Sequence, residues 1–179
     1  MKSSLLFLFT VISIMATAQN RYVENSQLTA YFLLPGLVFE QGISEKSTLS
    51  AEATMGFAYR SSDIFDDGFG IFPIGRLQYR YYYNFERRLQ NGNSITGNSA
   101  NYIAPTFGMQ SGNAIVGDLD YDSNYFGGLG VVYGLQRTAP KGFNFRLEIG
   151  PAYYFDEFES GFGLMAALKL GWVIGKSKK

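Results

Sequence analysis

Residues 162–174 read Phe-Gly-Leu-Met-Ala-Ala-Leu-Lys-Leu-Gly-Trp-Val-Ile. The alternate positions Phe162, Leu164, Ala166, Leu168, Leu170, Trp172 and Ile174 are apolar, whereas Gly163, Met165, Ala167, Lys169, Gly171 and Val173 between them are mostly small or charged. Side chains point to opposite faces of a strand with a period of two, so this stretch is a strand with one continuous apolar face. It is also long. Ordinary globular strands average about five or six residues, whereas tilted strands that cross a bilayer need about 9–11.

The pattern recurs upstream. Phe143, Phe145, Leu147, Ile149, Tyr153 and Phe155 alternate with Asn144, Arg146, Glu148, Gly150, Ala152 and Tyr154, and the short link 156–160 makes this segment and 162–174 a hairpin. Leu49, Ala51, Ala53, Met55, Phe57 and Tyr59 alternate with Ser50, Glu52, Thr54, Gly56, Ala58 and Arg60. Leu77, Tyr79, Tyr81, Tyr83 and Phe85 alternate with Arg76, Gln78, Arg80, Tyr82 and Asn84. Weaker strands cover 125–136, 101–110 with Pro105 inside it, and 28–40, where Pro35-Gly36 predicts a bend or bulge. These are seven strands, and single-chain bacterial barrels carry an even number. The eighth is placed at 21–27, with 114–121 or a split of 28–40 at Pro35 as the alternatives.

The first eighteen residues have the form of a cleaved export signal: Lys2, an apolar run of about ten residues, and Ala16-Thr17-Ala18 before Gln19. The remaining 161 residues, 19–179, form one domain with fourteen basic and fifteen acidic side chains. A balance this close to zero argues against a nucleic-acid partner, which demands a basic surface. The chain has no Cys, hence no disulfides and no thiolate metal site, and no His, which removes the usual general base for a nucleophile and the commonest metal ligand. No enzymatic activity and no cofactor are expected.

Charge alternates along the links. Those at 61–69, 111–124 and 156–160 carry Asp63, Asp66, Asp67, Asp118, Asp120, Asp122, Asp156, Glu157 and Glu159 and no basic residue. The intervening links carry Arg87, Arg88 and Lys141, with Glu45 and Lys46 mixed, and the chain ends on Lys176, Lys178 and Lys179. In an up-and-down meander alternate links lie at opposite ends, so an acidic rim and a basic rim are expected.

With the apolar faces outward, Glu40, Glu52, Arg60, Arg76, Arg80, Arg146, Glu148 and Lys169 face the lumen. An eight-stranded lumen is just wide enough to be filled by side chains, so these residues are expected to form an ion-pair plug. Tyr79, Tyr81, Tyr83, Phe85 and Trp172 at the basic end, and Tyr153 and Phe155 at the acidic end, are expected to form two aromatic girdles. Asp118, Asp120 and Asp122 have the spacing of a Ca²⁺ loop, but Ser123 stands where that loop needs Gly and Leu129 where it needs Glu, so no metal site is assigned beyond this weak candidate.

The signal-like leader, the alternating strands, the run Arg80-Tyr81-Tyr82-Tyr83-Asn84 before a polar turn, and the amphipathic final strand together resemble the small OmpA/OmpX-type outer-membrane barrels over residues 26–175. The resemblance implies an all-β, up-and-down antiparallel transmembrane barrel of about eight strands, in contact with outer-membrane lipids and with a possible envelope protein partner, its termini and basic rim periplasmic. It implies a structural or surface-interaction role rather than a wide pore. Two other readings stand beside it: a soluble periplasmic lipocalin-like barrel around an apolar small molecule, and an accessory subunit of an envelope transport or assembly machine.

Overall fold

The computed structural model describes residues 22–60, 68–119 and 121–177; of Arg60 only the backbone is included. The export signal therefore falls outside the described residues. The chain is an antiparallel meander: β1 (Ser26–Tyr31), β2 (Gly36–Gly42), β3 (Ser47–Arg60), β4 (Gly68–Tyr82), a short helix α1 (Phe85–Gln90), β5 (Asn101–Ser111), the two-residue β6 (Val116–Gly117), β7 (Tyr125–Thr138), β8 (Phe143–Phe155) and β9 (Ser160–Ser177). Each long strand pairs with the next, and β9 returns to pair with β1, closing a ring of eight. Closure leaves no sheet edge around most of the wall, which is how a β structure satisfies its backbone without water. β6 stands apart from the ring and folds the 112–124 link back onto Gly70 and Ile71 of β4.

The eighth strand comes from the split at Pro35, not from 21–27. Tyr22–Asn25 carry no strand, and 28–40 is a hairpin whose turn is Phe32, Leu33, Leu34 and Pro35. Three apolar residues disguised this turn, because turns in water are built from polar residues and Gly. The two polar groups that would be hardest to leave bare are met by the flanking strands: Phe32 N–H donates to Leu170 O at 3.0 Å, and Pro35 O accepts from Met55 N–H at 2.9 Å.

Both described chain ends lie at the same end of the ring, where Ser26 pairs with Ser177. Connectivity puts the acidic links after β5 and β8 at the far end and the basic links at the near end, while Asp63, Asp66 and Asp67 lie outside the described residues. β1 and β9 shift register between Leu28 and Thr29, so Ile174 is an extra residue on β9, a bulge at the point of closure.

Two caps close the ring. At the basic end Tyr22 and Val23 pack with Phe85 of α1, and the Tyr22 and Tyr82 rings stack on Phe85 at 5.8 and 5.1 Å. At the acidic end Tyr121 sits between Phe72 and Phe126, 5.0 Å from each.

Candidate functional site: the polar lumen

Strand alternation alone aims the polar rows inward. On β4 every second residue from Gly68 to Tyr82 faces the lumen, which delivers Arg76, Gln78 and Arg80; β2 delivers Glu40, β3 Glu52, β8 Arg146 and Glu148, and β9 Lys169. The structure brings these charged side chains together inside the ring, whereas the Arg60 side chain lies outside the described residues.

Glu40 is the hub of the lower lumen. Its Oε1 accepts from Thr48 Oγ1 at 2.7 Å, Tyr82 OH at 2.7 Å and Asn98 Nδ2 at 2.9 Å, and its Oε2 accepts from Arg80 Nη1 at 2.9 Å. Asn98 adopts a positive φ of 56° and also accepts the Glu24 backbone N–H at 2.7 Å, so it ties the basic-end cap into the network. Asparagine is among the few side chains that enter this left-handed region readily.

Glu148 is the second hub. Arg76 Nη1 donates to its Oε2 at 2.7 Å, and its Oε1 accepts from Gln78 Nε2 at 3.2 Å and from the Tyr102 hydroxyl. Tyr102 reaches Glu148 by lying over Gly134, where a Cβ would come within 2.1 Å of the ring. Arg80 closes the circuit: its Nε and Nη2 both donate to Gln78 Oε1, at 2.9 and 2.6 Å. Its guanidinium also sits 5.3 Å from the centre of the Tyr102 ring.

Glu52 and Lys169 form a separate buried ion pair. Arg146 donates Nε to Gln136 Oε1 at 3.0 Å and lies 5.2 Å from the centre of the Tyr31 ring, while its Nη2 stands 4.0 Å from Glu40 Oε2. Desolvated charges of this kind are costly unless paired and hydrogen-bonded, and here nearly every carboxylate oxygen has a donor. What the arrangement can do chemically is hold the strands in register and obstruct passage along the axis.

The outward rows are apolar. Tyr79, Tyr81, Tyr83 and Trp172 stand exposed toward the basic end, and Tyr153, with the half-buried Phe155, near the acidic end. Phe85 does not belong with them. It follows β4, opens α1, and is buried in the cap between Tyr22 and Tyr82, because the strand ends at Tyr82 and the alternation ends with it.

Among the acidic-rim residues, Asp118 accepts the Phe69 backbone N–H at 3.1 Å, which anchors the 112–124 link; Asp122 is exposed and Asp120 lies outside the described residues. No group of three possible metal ligands gathers among the described residues. Asp156 accepts the backbone N–H groups of Glu159 and Phe158, each at 2.7 Å, which hold its carboxyl below its ordinary value of 3.8. At the basic end the Glu86 carboxylate, 2.6 Å away, raises the Lys46 ammonium above its usual range.

Sequence reasoning missed the neutral members of the network: Tyr31, Tyr102, Gln136, Asn144 and Asn98. Strand parity could have found the first four, since each occupies an inward position; Asn98 lies in a link and gives no periodic signal. Comparison of the chain with protein-family models, with curated proteins and with solved structures found no match.

Proposed function

We propose that the protein is an integral outer-membrane barrel with a plugged polar lumen, serving a structural or surface-contact role rather than that of a wide pore. The observation that carries this reading is the inversion of a soluble protein: charges are buried inside the ring, and Leu, Phe, Tyr and Val side chains cover its outside. Monomeric soluble proteins rarely expose contiguous apolar surface beyond a few hundred Å², whereas a bilayer demands it. The Phe32-Leu33-Leu34-Pro35 turn supports the same reading, since it stops partway up the wall, exposes apolar side chains and gives its critical backbone groups to neighbouring strands. A soluble barrel around an apolar ligand would carry its apolar rows inward, where Glu40, Glu148 and their partners stand.

The test is extraction of the membrane fraction with alkaline carbonate, followed by gel mobility with and without boiling. A protein that resists extraction and shifts on boiling supports the proposal; one released as a soluble, unshifted species defeats it.

A further inference from the structure

The β1–β2 hairpin is much shorter than its neighbours. On β3 it reaches only Thr54 through the ladder and Met55 through Pro35; on β9 it reaches only Gly171 through the ladder and Leu170 through Phe32. Beyond it, among the described residues, β3 and β9 have no strand partner on their facing sides. The wall therefore has a lateral notch two strands wide, on the order of 10 Å. Its flanks carry conspicuously bare apolar side chains: Phe162 is 89% exposed, Phe57 66%, Leu164 64% and Tyr59 64%.

Inside the same half of the ring the side chains leave a cavity of about 200 Å³, lined by Ile74, Arg76, Gln110, Phe126, Tyr154 and Met165. Met165 belongs to the strand that borders the notch. Arg76, 15% exposed, is the one charged group of the lining. Among the described residues Arg76 donates only Nη1, to Glu148 Oε2, so the rest of its guanidinium fork is left to the cavity.

From these observations we propose that the upper lumen binds a single-chain monocarboxylate amphiphile, its carboxylate on Arg76 and its hydrocarbon tail leaving through the notch between β3 and β9. A carboxylate matches the planar fork of an arginine, and its small size suits the cavity. The tail's destination in lipid rests on the membrane reading above; the site on Arg76 does not.

The test uses the full barrel folded in a nonionic detergent, with Trp172→Phe removing the outward tryptophan and Phe126→Trp placing a reporter in the cavity. The probes are 2-bromododecanoate and 2-bromododecan-1-ol, whose bromine lies beside the head group and so in the cavity. The acid is expected to quench saturably and at least about tenfold more tightly than the alcohol, a preference that Arg76→Gln abolishes. Gly108→Leu tests the cavity without removing an ion-pair partner: a Cβ there would lie 3.7 Å from Gly75 O and 4.0 Å from Arg76 Cγ, so it fits, and the longer side chain fills the space. Equal quenching by acid and alcohol, or quenching untouched by Gly108→Leu, overturns the proposal. Carbonate extraction judges the membrane reading separately, so a barrel that resists extraction without preferring the acid loses the site alone.

Discussion

Lys169 on β9 and Glu52 on β3 meet inside the ring, joining the two strands that flank the short hairpin although those strands share no ladder. Removing one partner of a buried pair strands the other charge. Lys169→Leu is therefore expected to cost about 3–5 kcal/mol in urea unfolding from lipid vesicles, and the double variant Lys169→Leu/Glu52→Leu to recover most of it. An unchanged midpoint in the single variant would show that the pair contributes nothing to holding the ring.

Phe85 and Tyr83 are two residues apart and oppositely placed. Phe85→Ala empties the basic-end cap and should cost about 3–5 kcal/mol, as large-to-small changes in a packed core do. Tyr83→Ala removes an exposed ring and should leave the unfolding midpoint nearly in place while slowing insertion into vesicles. Equal costs would place Phe85 back on the outer wall.

Tyr102 and Gly134 act as one unit, because the ring lies where a side chain at 134 would be. Tyr102→Phe removes a donor from Glu148 and should cost about 1–3 kcal/mol. Gly134→Ala pushes the same ring aside, so the pair of changes should be less than additive by urea unfolding. Strict additivity would mean that the glycine serves something other than this hydrogen bond.

Asp156 organises the β8–β9 hairpin tip through two backbone donors that favour its ionised form. Its folded pKa is depressed, so the stabilisation is present above the ordinary aspartate value of 3.8 and is lost as pH falls through the lower folded value. The amide shifts of Phe158 and Glu159 should titrate together with a midpoint below 3.8, and Asp156→Asn should abolish that titration. A midpoint at or above the ordinary value would contradict the two-donor geometry.

The ring and its charged interior were legible wherever period-two alternation met no interruption. β8 and β9 were read almost residue for residue, and Glu40, Arg80, Arg146 and Glu148 followed from parity. Legibility failed where local chemistry ran against habit. The hairpin at residues 32–35 is made of residues that normally continue a strand, and the first half of β4, Gly68 to Gly75, hides its alternation behind glycines and Pro73. Phe85 extended an alternating run by one position past the point where the backbone turned helical. Contacts made by single residues in links, such as Asn98 to Glu40, carry no period at all.

The pairing of Ser26 with Ser177 has a consequence for assembly. The seam that completes the cylinder joins the segments most distant along the chain, so its loop-closure entropy is the largest of any pairing and it is expected to zip last, after the sequential hairpins have supplied their local contacts. Because the two ends meet at one rim, a short peptide could splice them, with new termini opened at the 139–142 turn. Such a circular permutant turns the slow seam into an ordinary hairpin and moves the final closure to β7 and β8, so its refolding should be limited by a different pair of strands while the finished cylinder stays the same.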